Sequence, residues 1–455
     1  MPTSTPRGPI LRPGDSGYAA ELAGFQTAYT HRPALIVAAR ETGDVVAAVR
    51  YAAARGLPVA VQATGHGLSV PTDGVLISTR ALTDVRVDPD AATARVAAGV
   101  RAGALIEAAA PHGLAPLTGS APSVGVVGYH LGGGLGLLAR TFGYAADRVR
   151  GIEMVTADGE LRALTPEDEL FGAVLGTGGN FGVVTALDLD LPLVPEVFGG
   201  QLVFDTPHVE RAVRIWREWT ATVPDTLTST LTMPAYPDLP QVARSLRGRF
   251  VASIRVAFFG PTAEGERWSA GLRGIGPRLV DDLRTMPYTE SHTIHRDPDR
   301  PHAYAATNAL LREFTAETAA ALLDLAGPGG PVRAVLDIRH LGGALRRARG
   351  ITAVDHRDAA FLVRVITAPD ADDPTAAPPE HTRVRAALAP WTLGHSPNFL
   401  YGAGAAADEA QTRAGYSPGT YARLAVLKGR YDPRNLFRAN RNIRPASGAE
   451  VVADS

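Results

Sequence analysis

The chain has no cysteine among its 455 residues. Disulfides, thiolate nucleophiles, Cys-ligated zinc and iron–sulfur clusters are therefore excluded. It has a single lysine, Lys428, in the segment LAVLKGRYD. A nucleotide-binding P-loop needs its lysine behind a run of glycines, so that loop is excluded as well. Neither charge sign is in excess: 45 basic and 46 acidic residues give a net charge of -1. Nothing here suits a polyanion, and nucleic acid is not an expected partner. No run of 18 apolar residues occurs, so no membrane-spanning helix is expected. The opening MPTSTPRGPILRPGDSG lacks the apolar core of a secretory signal, and a cytoplasmic location is expected. The basic residues are almost all arginine. With abundant Ala, Gly and Pro, this reads as coding bias in a GC-rich genome rather than as a binding surface.

What is present is enough for folded cores: 45% hydrophobic and 20% charged residues. The length allows two or three domains at roughly 150 residues each. The first half alternates strand and helix signals. A helix is expected over Tyr18 to Thr30, strands over 32–40, 57–63, 74–82 and 92–100, and helices over 44–56 and 102–113. Asp158-Gly159 marks a hairpin within 151–164, and 182–194 reads as a strand. Near residue 195, PLVPEVFGG marks a boundary. Beyond it come strands near 201–205, 227–233, 251–259, 332–344 and 359–368, with helices at 209–223, 263–273 and 315–326. Their order is α+β rather than a regular βαβ alternation. Residues 369–380 read as a surface loop. The C-terminal part holds a helix, GTYARLAVLKGRYDP, and a tail.

Four segments carry chemical signals. In VQATGHGLS (61–69), a strand runs into a turn with Gly65 and Gly67, where backbone N–H groups can approach a diphosphate. His66 stands between those glycines; on its own, a turn histidine without a role is the better reading. GSAPSVGVVGYHLGGGLG (119–136) is too rich in glycine for an ordinary helix or strand. Its interleaved Val124, Val126, Val127 and Leu131 suggest a buried, tightly turned backbone suited to a large flat ligand. The GxGxxG spacing of nicotinamide sites is absent. The third segment, LGTGGNFGVVTALDLDL (175–191), is weak alone. The fourth, RYDPRNLFRANRNIRP (430–445), has Phe437, Ile443 and paired asparagines, which argue for a docked tail. Gly415-Tyr416-Ser417-Pro418-Gly419 matches GxSxG, but a polar, helix-like segment precedes it. A nucleophile elbow needs a buried strand there.

Taken in order, these segments resemble the vanillyl-alcohol-oxidase-like flavoproteins, and more closely the berberine-bridge-enzyme-like oxidoreductases. RPALIVAARETGDVVAAVRYA and GTGGNFGVVT add to the likeness, which covers nearly the whole chain. The resemblance implies a two-subdomain, PCMH-type FAD-binding domain (1–195), a substrate domain with an antiparallel sheet backed by helices (196–400), and a C-terminal segment (401–455) returning to the FAD domain. It implies FAD, covalently attached through His66. Ala63, Thr64 and Gly65 stand at the family's three glycines before that histidine, so that Ala63 and Thr64 are changes and Gly65 is kept, and Gly67 and Leu68 follow it. In Gly119-Ser120-Ala121-Pro122-Ser123-Val124-Gly125, Ala121 stands at the family's second, cysteinyl link, so that link is impossible. Ser120, Val124, Gly125, Gly128, Tyr129, Gly132, Gly182, Val183, Val184, Phe399, Asn440 and Asn442 complete the implied cofactor site. Tyr129 takes the place of a family histidine. Val124, at the position that gates oxygen in this family, is small and implies an oxidase.

The family's tyrosine base is missing: Ser396-Pro397-Asn398-Phe399 puts phenylalanine there. Asp337 and Arg339, on one face of the LDIRHLGG strand by period-two alternation, are the catalytic candidates. A surface-paired Asp and Arg is an equally good reading. Tyr304 and Arg364 are weaker candidates. No metal site is indicated. The expected activity is FAD-dependent oxidation of an alcohol-, sugar- or polyketide-like small molecule in secondary metabolism, with oxygen as electron acceptor. The alternative is a flavin-bearing cyclase or isomerase without net redox change.

Overall fold

The computed structural model describes residues 6–370, 373, 376, 378–401, 409–439 and 441–446. Three sheets organise them. The first has four strands in the order Ile10–Leu11, Leu35–Ala38, Val75–Ser78, Val59–Gln62, the last three parallel. The helix Thr42–Arg55 covers it with Val45, Ala48, Val49 and Ala52. The second sheet is antiparallel: Val85–Asp88, Thr93–Ala97, Val183–Asp190, Val149–Val155, Leu161–Leu164. The hairpin at Asp158-Gly159 is formed, with Gly159 at φ 77°.

The third sheet has nine strands. Eight follow in the order Arg278–Asp281, Glu196–Asp205, Val251–Phe258, Leu227–Met233, Val335–His340, Phe361–Thr367, Ala305–Leu311 and Thr392–Gly394, and Arg284–Pro287 also pairs with Glu196–Asp205. Alternation divides its residues between two faces. Ile254, Val256, Leu231, Leu336, Ile338, Val363 and Val365 join one core cluster with Trp216, Leu272, Leu322 and Val384 from four helices. The opposite face carries Arg255, Asp337, Arg339 and Arg364. Register sets Asp337 opposite Thr232 on one side and Arg364 on the other, and Arg255 and Arg339 both opposite Thr230. A polar patch therefore lies across the middle of the sheet.

The last segment packs into both smaller units. Leu436 and Phe437 join Val155 and Val183 in one core, while Ile443 joins Val126, Leu131 and Phe181 in another. Among the described residues, no helix is long and apolar enough to cross a membrane.

Several expectations need correction. The first helix is Tyr18–Leu22 and does not reach Thr30. The chain leaves it so that Gly24 can lie against Gly65 and Phe25 can donate its N–H to the Thr64 carbonyl at 2.9 Å. The glycine-dense segment does contain a helix, Val126–Leu131, because Val126, Val127 and Leu131 bury one side of it. A helix, Pro379–Leu388, starts inside the stretch read as a loop. The strand Ala305–Leu311 had no counterpart in the sequence reading.

Candidate active site

The turn after Val59–Gln62 is the centre of the site. Gly65 adopts φ 73°, and a Cβ there would lie 2.6 Å from the Gly24 Cα. Only glycine suits that position. His66 stacks on Phe25 with ring centroids 3.7 Å apart, and its Nε2 lies 3.0 Å from the Ser123 hydroxyl. The Tyr304 hydroxyl donates to the His66 carbonyl at 2.6 Å. Burial, helped by Arg101, pushes the imidazole down to about 4, so it is neutral at ordinary pH. A Cβ on Gly125 would sit 3.7 Å from Ala63 and Thr64, so the two glycine loops are neighbours.

The residues present fit a flavin dinucleotide. A Cβ built on Gly67 or Gly128 would meet nothing within 4 Å, leaving backbone open toward a ligand. The Asn442 Oδ1 is buried and without a hydrogen-bond partner. An amide in that state suits the polar edge of a flavin ring. Asn440 lies outside the described residues. The side chains of Val183 and Val184 are spent on core packing, and a Cβ on Gly182 would strike Met154 and Val155. Tyr129 also faces inward. Its buried hydroxyl lies against Gly136 and has no hydrogen-bond partner, and its ring abuts Gly119 and Gly134. Gly132 is fixed by Asn398, whose Oδ1 would be 1.8 Å from a Cβ there and whose Nδ2 donates to the Tyr129 carbonyl at 3.2 Å. Leu68 and Val124 are partly buried, and the Val124 carbonyl accepts from the Ala102 N–H.

Across from these loops stands the polar face of the large sheet. Asp337 is 4% exposed, so the surface-pair reading does not hold. Its Oδ2 accepts from Arg339 at 3.1 Å and from Arg364 at 2.6 Å. Both guanidiniums lie over the Phe399 ring, at 4.9 and 4.4 Å. Burial opposes ionisation of Asp337, but the two arginines outweigh it and hold the carboxyl well below the usual range. A carboxylate so paired is a weak proton acceptor; the geometry suits it to orienting Arg339 and Arg364.

Sequence reasoning missed three neighbours. His295 is buried and held neutral by that burial and by Arg255. Asp297 accepts a hydrogen bond from Ser120. Arg255 donates to Thr232. For Arg255 a signal existed: in VASIRVAFF it interrupts an apolar strand. Ser120, Arg255, His295 and Arg339 line one cavity between the glycine loops and the sheet.

Two smaller sheets bearing glycine loops, with a large sheet whose polar face closes over them, define a flavin-dependent oxidoreductase. The profile of a family described as "FAD binding domain" matches residues 33–165, and one described as "Berberine and berberine like" matches 406–444. The chain is 29% identical to (R)-6-hydroxynicotine oxidase of Paenarthrobacter nicotinovorans, over 96% of this chain and 97% of that protein. The crystal structure of 6-hydroxy-D-nicotine oxidase from Arthrobacter nicotinovorans superimposes with a TM-score of 0.82 at 26% identity, covering 98% and 99% of the two chains. The xylooligosaccharide oxidase of Myceliophthora thermophila C1 shares the fold, with a TM-score of 0.82 at 18% identity over 97% and 98%. The chain belongs to the FAD-linked oxidoreductases of the vanillyl-alcohol-oxidase and berberine-bridge-enzyme-like family, with a PCMH-type FAD-binding fold.

Proposed function

We propose that this FAD-dependent oxidoreductase oxidises an alcohol-, sugar- or polyketide-like small molecule of secondary metabolism, using oxygen as electron acceptor and holding its flavin covalently through His66. One observation carries the reading: a cavity lies between the glycine loop bearing Ser120 and the sheet face bearing Arg255 and Arg339, with His295 lining it from the loop after Ile294. FAD, when bound, supplies a hydride acceptor and a route for electrons to oxygen. The chain does the rest. Glycine backbone at 65, 67, 125 and 128 accommodates the cofactor. Ser123 engages Nε2 of His66, which leaves Nδ1 as the nitrogen for the covalent bond. The neutral imidazole has the lone pair that such a bond requires. Asp337 fixes Arg339 and Arg364 against the Phe399 ring, keeping two guanidiniums oriented beside the cleft.

Acid precipitation of the purified protein tests the covalent link. The yellow colour should stay with the precipitate, and in His66→Ala it should move to the supernatant. Colour released from the unaltered protein would disprove the link while leaving FAD binding intact.

A further inference from the structure

The polar face of the large sheet has an unbalanced charge. Arg255, Arg339 and Arg364 stand together on it; among the described residues the carboxylates acting on them are Asp337 of the same face and Asp297 of the loop after Ile294, which also brings a neutral His295. Asp337 is shared by Arg339 and Arg364. Asp297 is engaged by Ser120. Arg255 feels both carboxylates, yet among the described residues neither comes close enough to form an ion pair with it. Its Nη1 donates to the Thr232 hydroxyl, and its Nε is buried with no acceptor. A guanidinium drawn out of water with no carboxylate in direct contact is costly unless something else completes its hydrogen bonding and charge. Arg255 lines the cavity beside Ser120, Thr230, His295 and Arg339, so a bound molecule can do so.

We propose that the substrate is an organic acid whose carboxylate docks on Arg255, with Thr230 and Arg339 alongside. This rests on the function proposed above and narrows its substrate class. The count favours a carboxylate over a phosphate. Three guanidiniums against two carboxylates leave one positive charge, which a monoanion neutralises and a dianion overshoots. The planar fork of arginine matches the two oxygens of a carboxylate. The same excess disfavours a cationic amine, so this site differs in charge preference from one built for a protonated base.

Titration of the yellow holoenzyme with benzoate and with benzamide, its neutral isostere, tests the proposal through the visible flavin spectrum. Benzoate should bind saturably and about ten-fold more tightly than benzamide, the scale of a charge-assisted hydrogen bond. Arg255→Gln should abolish that preference while keeping its flavin, and Arg255→Lys should restore part of it. Equal affinities, no saturable response to benzoate, or a preference that survives Arg255→Gln would each overturn the proposal. So would loss of flavin from both variants, which would assign Arg255 to the cofactor. The comparison in the unaltered protein needs no substitution and decides even if both variants fail to fold. A protein that purifies colourless fails the flavin reading instead.

Discussion

Lys428, the chain's only lysine, is fully buried. Its Nζ donates to the Asn180 carbonyl at 2.5 Å, the Phe437 carbonyl at 3.1 Å and the Asp432 carboxylate at 2.7 Å. Asp432 in turn accepts the backbone N–H groups of Leu436 and Phe437. Burial lowers the lysine's pKa and Asp432 pulls it back up. Lys428→Met should destabilise the fold by about 3–5 kcal/mol, because it leaves Asp432 buried and uncompensated. Lys428→Met with Asp432→Leu should be more stable than the single variant. Chemical denaturation of the three proteins measures this, and a single variant as stable as the parent would contradict it. The i, i+4 spacing of Lys428 and Asp432 was visible in LAVLKGRYD; burial of both was not, since charged residues at that spacing usually face water. The arginines of the cleft show the same limit. Alternation placed Asp337 and Arg339 on one face, but only strand register brings Arg255 and Arg364 to them from distant segments.

At the level of elements, the tail was legible and part of the large sheet was not. Phe437 and Ile443 in a terminal segment signalled docking, and both are buried. The partner was not legible: Asn180 donates Nδ2 to the Arg441 carbonyl at 3.0 Å and accepts from the Ile443 N–H at 2.9 Å. Its amide completes the hydrogen bonding of the incoming chain as a neighbouring strand would. The strand Ala305–Leu311 was missed because AATNALL is built largely from helix formers. Pairing with Phe361–Thr367 and Thr392–Gly394 overrides that propensity. Truncation before Leu436 strips apolar residues from two cores and takes an acceptor from Lys428. The shortened protein should be insoluble or free of flavin, as judged by soluble yield and flavin-to-protein ratio. A soluble product with a full complement of flavin would show that the tail does not complete the cofactor domain.

The molecule as a whole should respond to acid through its histidines. Burial pushes His31, His66, His130, His381 and His395 down from 6.5 to about 4, and His340 to about 3. All six are neutral in the fold at pH 7. Between about pH 6.5 and 4 the unfolded chain binds protons that the folded chain does not, so stability rises with pH in that window and is lost as pH falls through it. Above 6.5 these groups contribute no slope. The low-pKa carboxylates Asp337 and Asp355 act later: both are depressed in the fold, so their contribution holds down to the ordinary carboxylate range and fades only below it. The histidines occupy different cores and loops, so no single local opening relieves them all. Melting temperature should therefore be flat from about pH 8 to 6.5 and fall steeply between about 6.5 and 5, before most carboxylates titrate. His381→Gln tests one contributor. The Thr367 hydroxyl lies 3.0 Å from the His381 Nε2, and an amide at that position can keep the contact without titrating. That variant should lose less stability than the parent on moving from pH 7 to 5. A parent protein whose melting temperature holds constant down to about pH 5 would mean that these imidazoles reach water in the folded state.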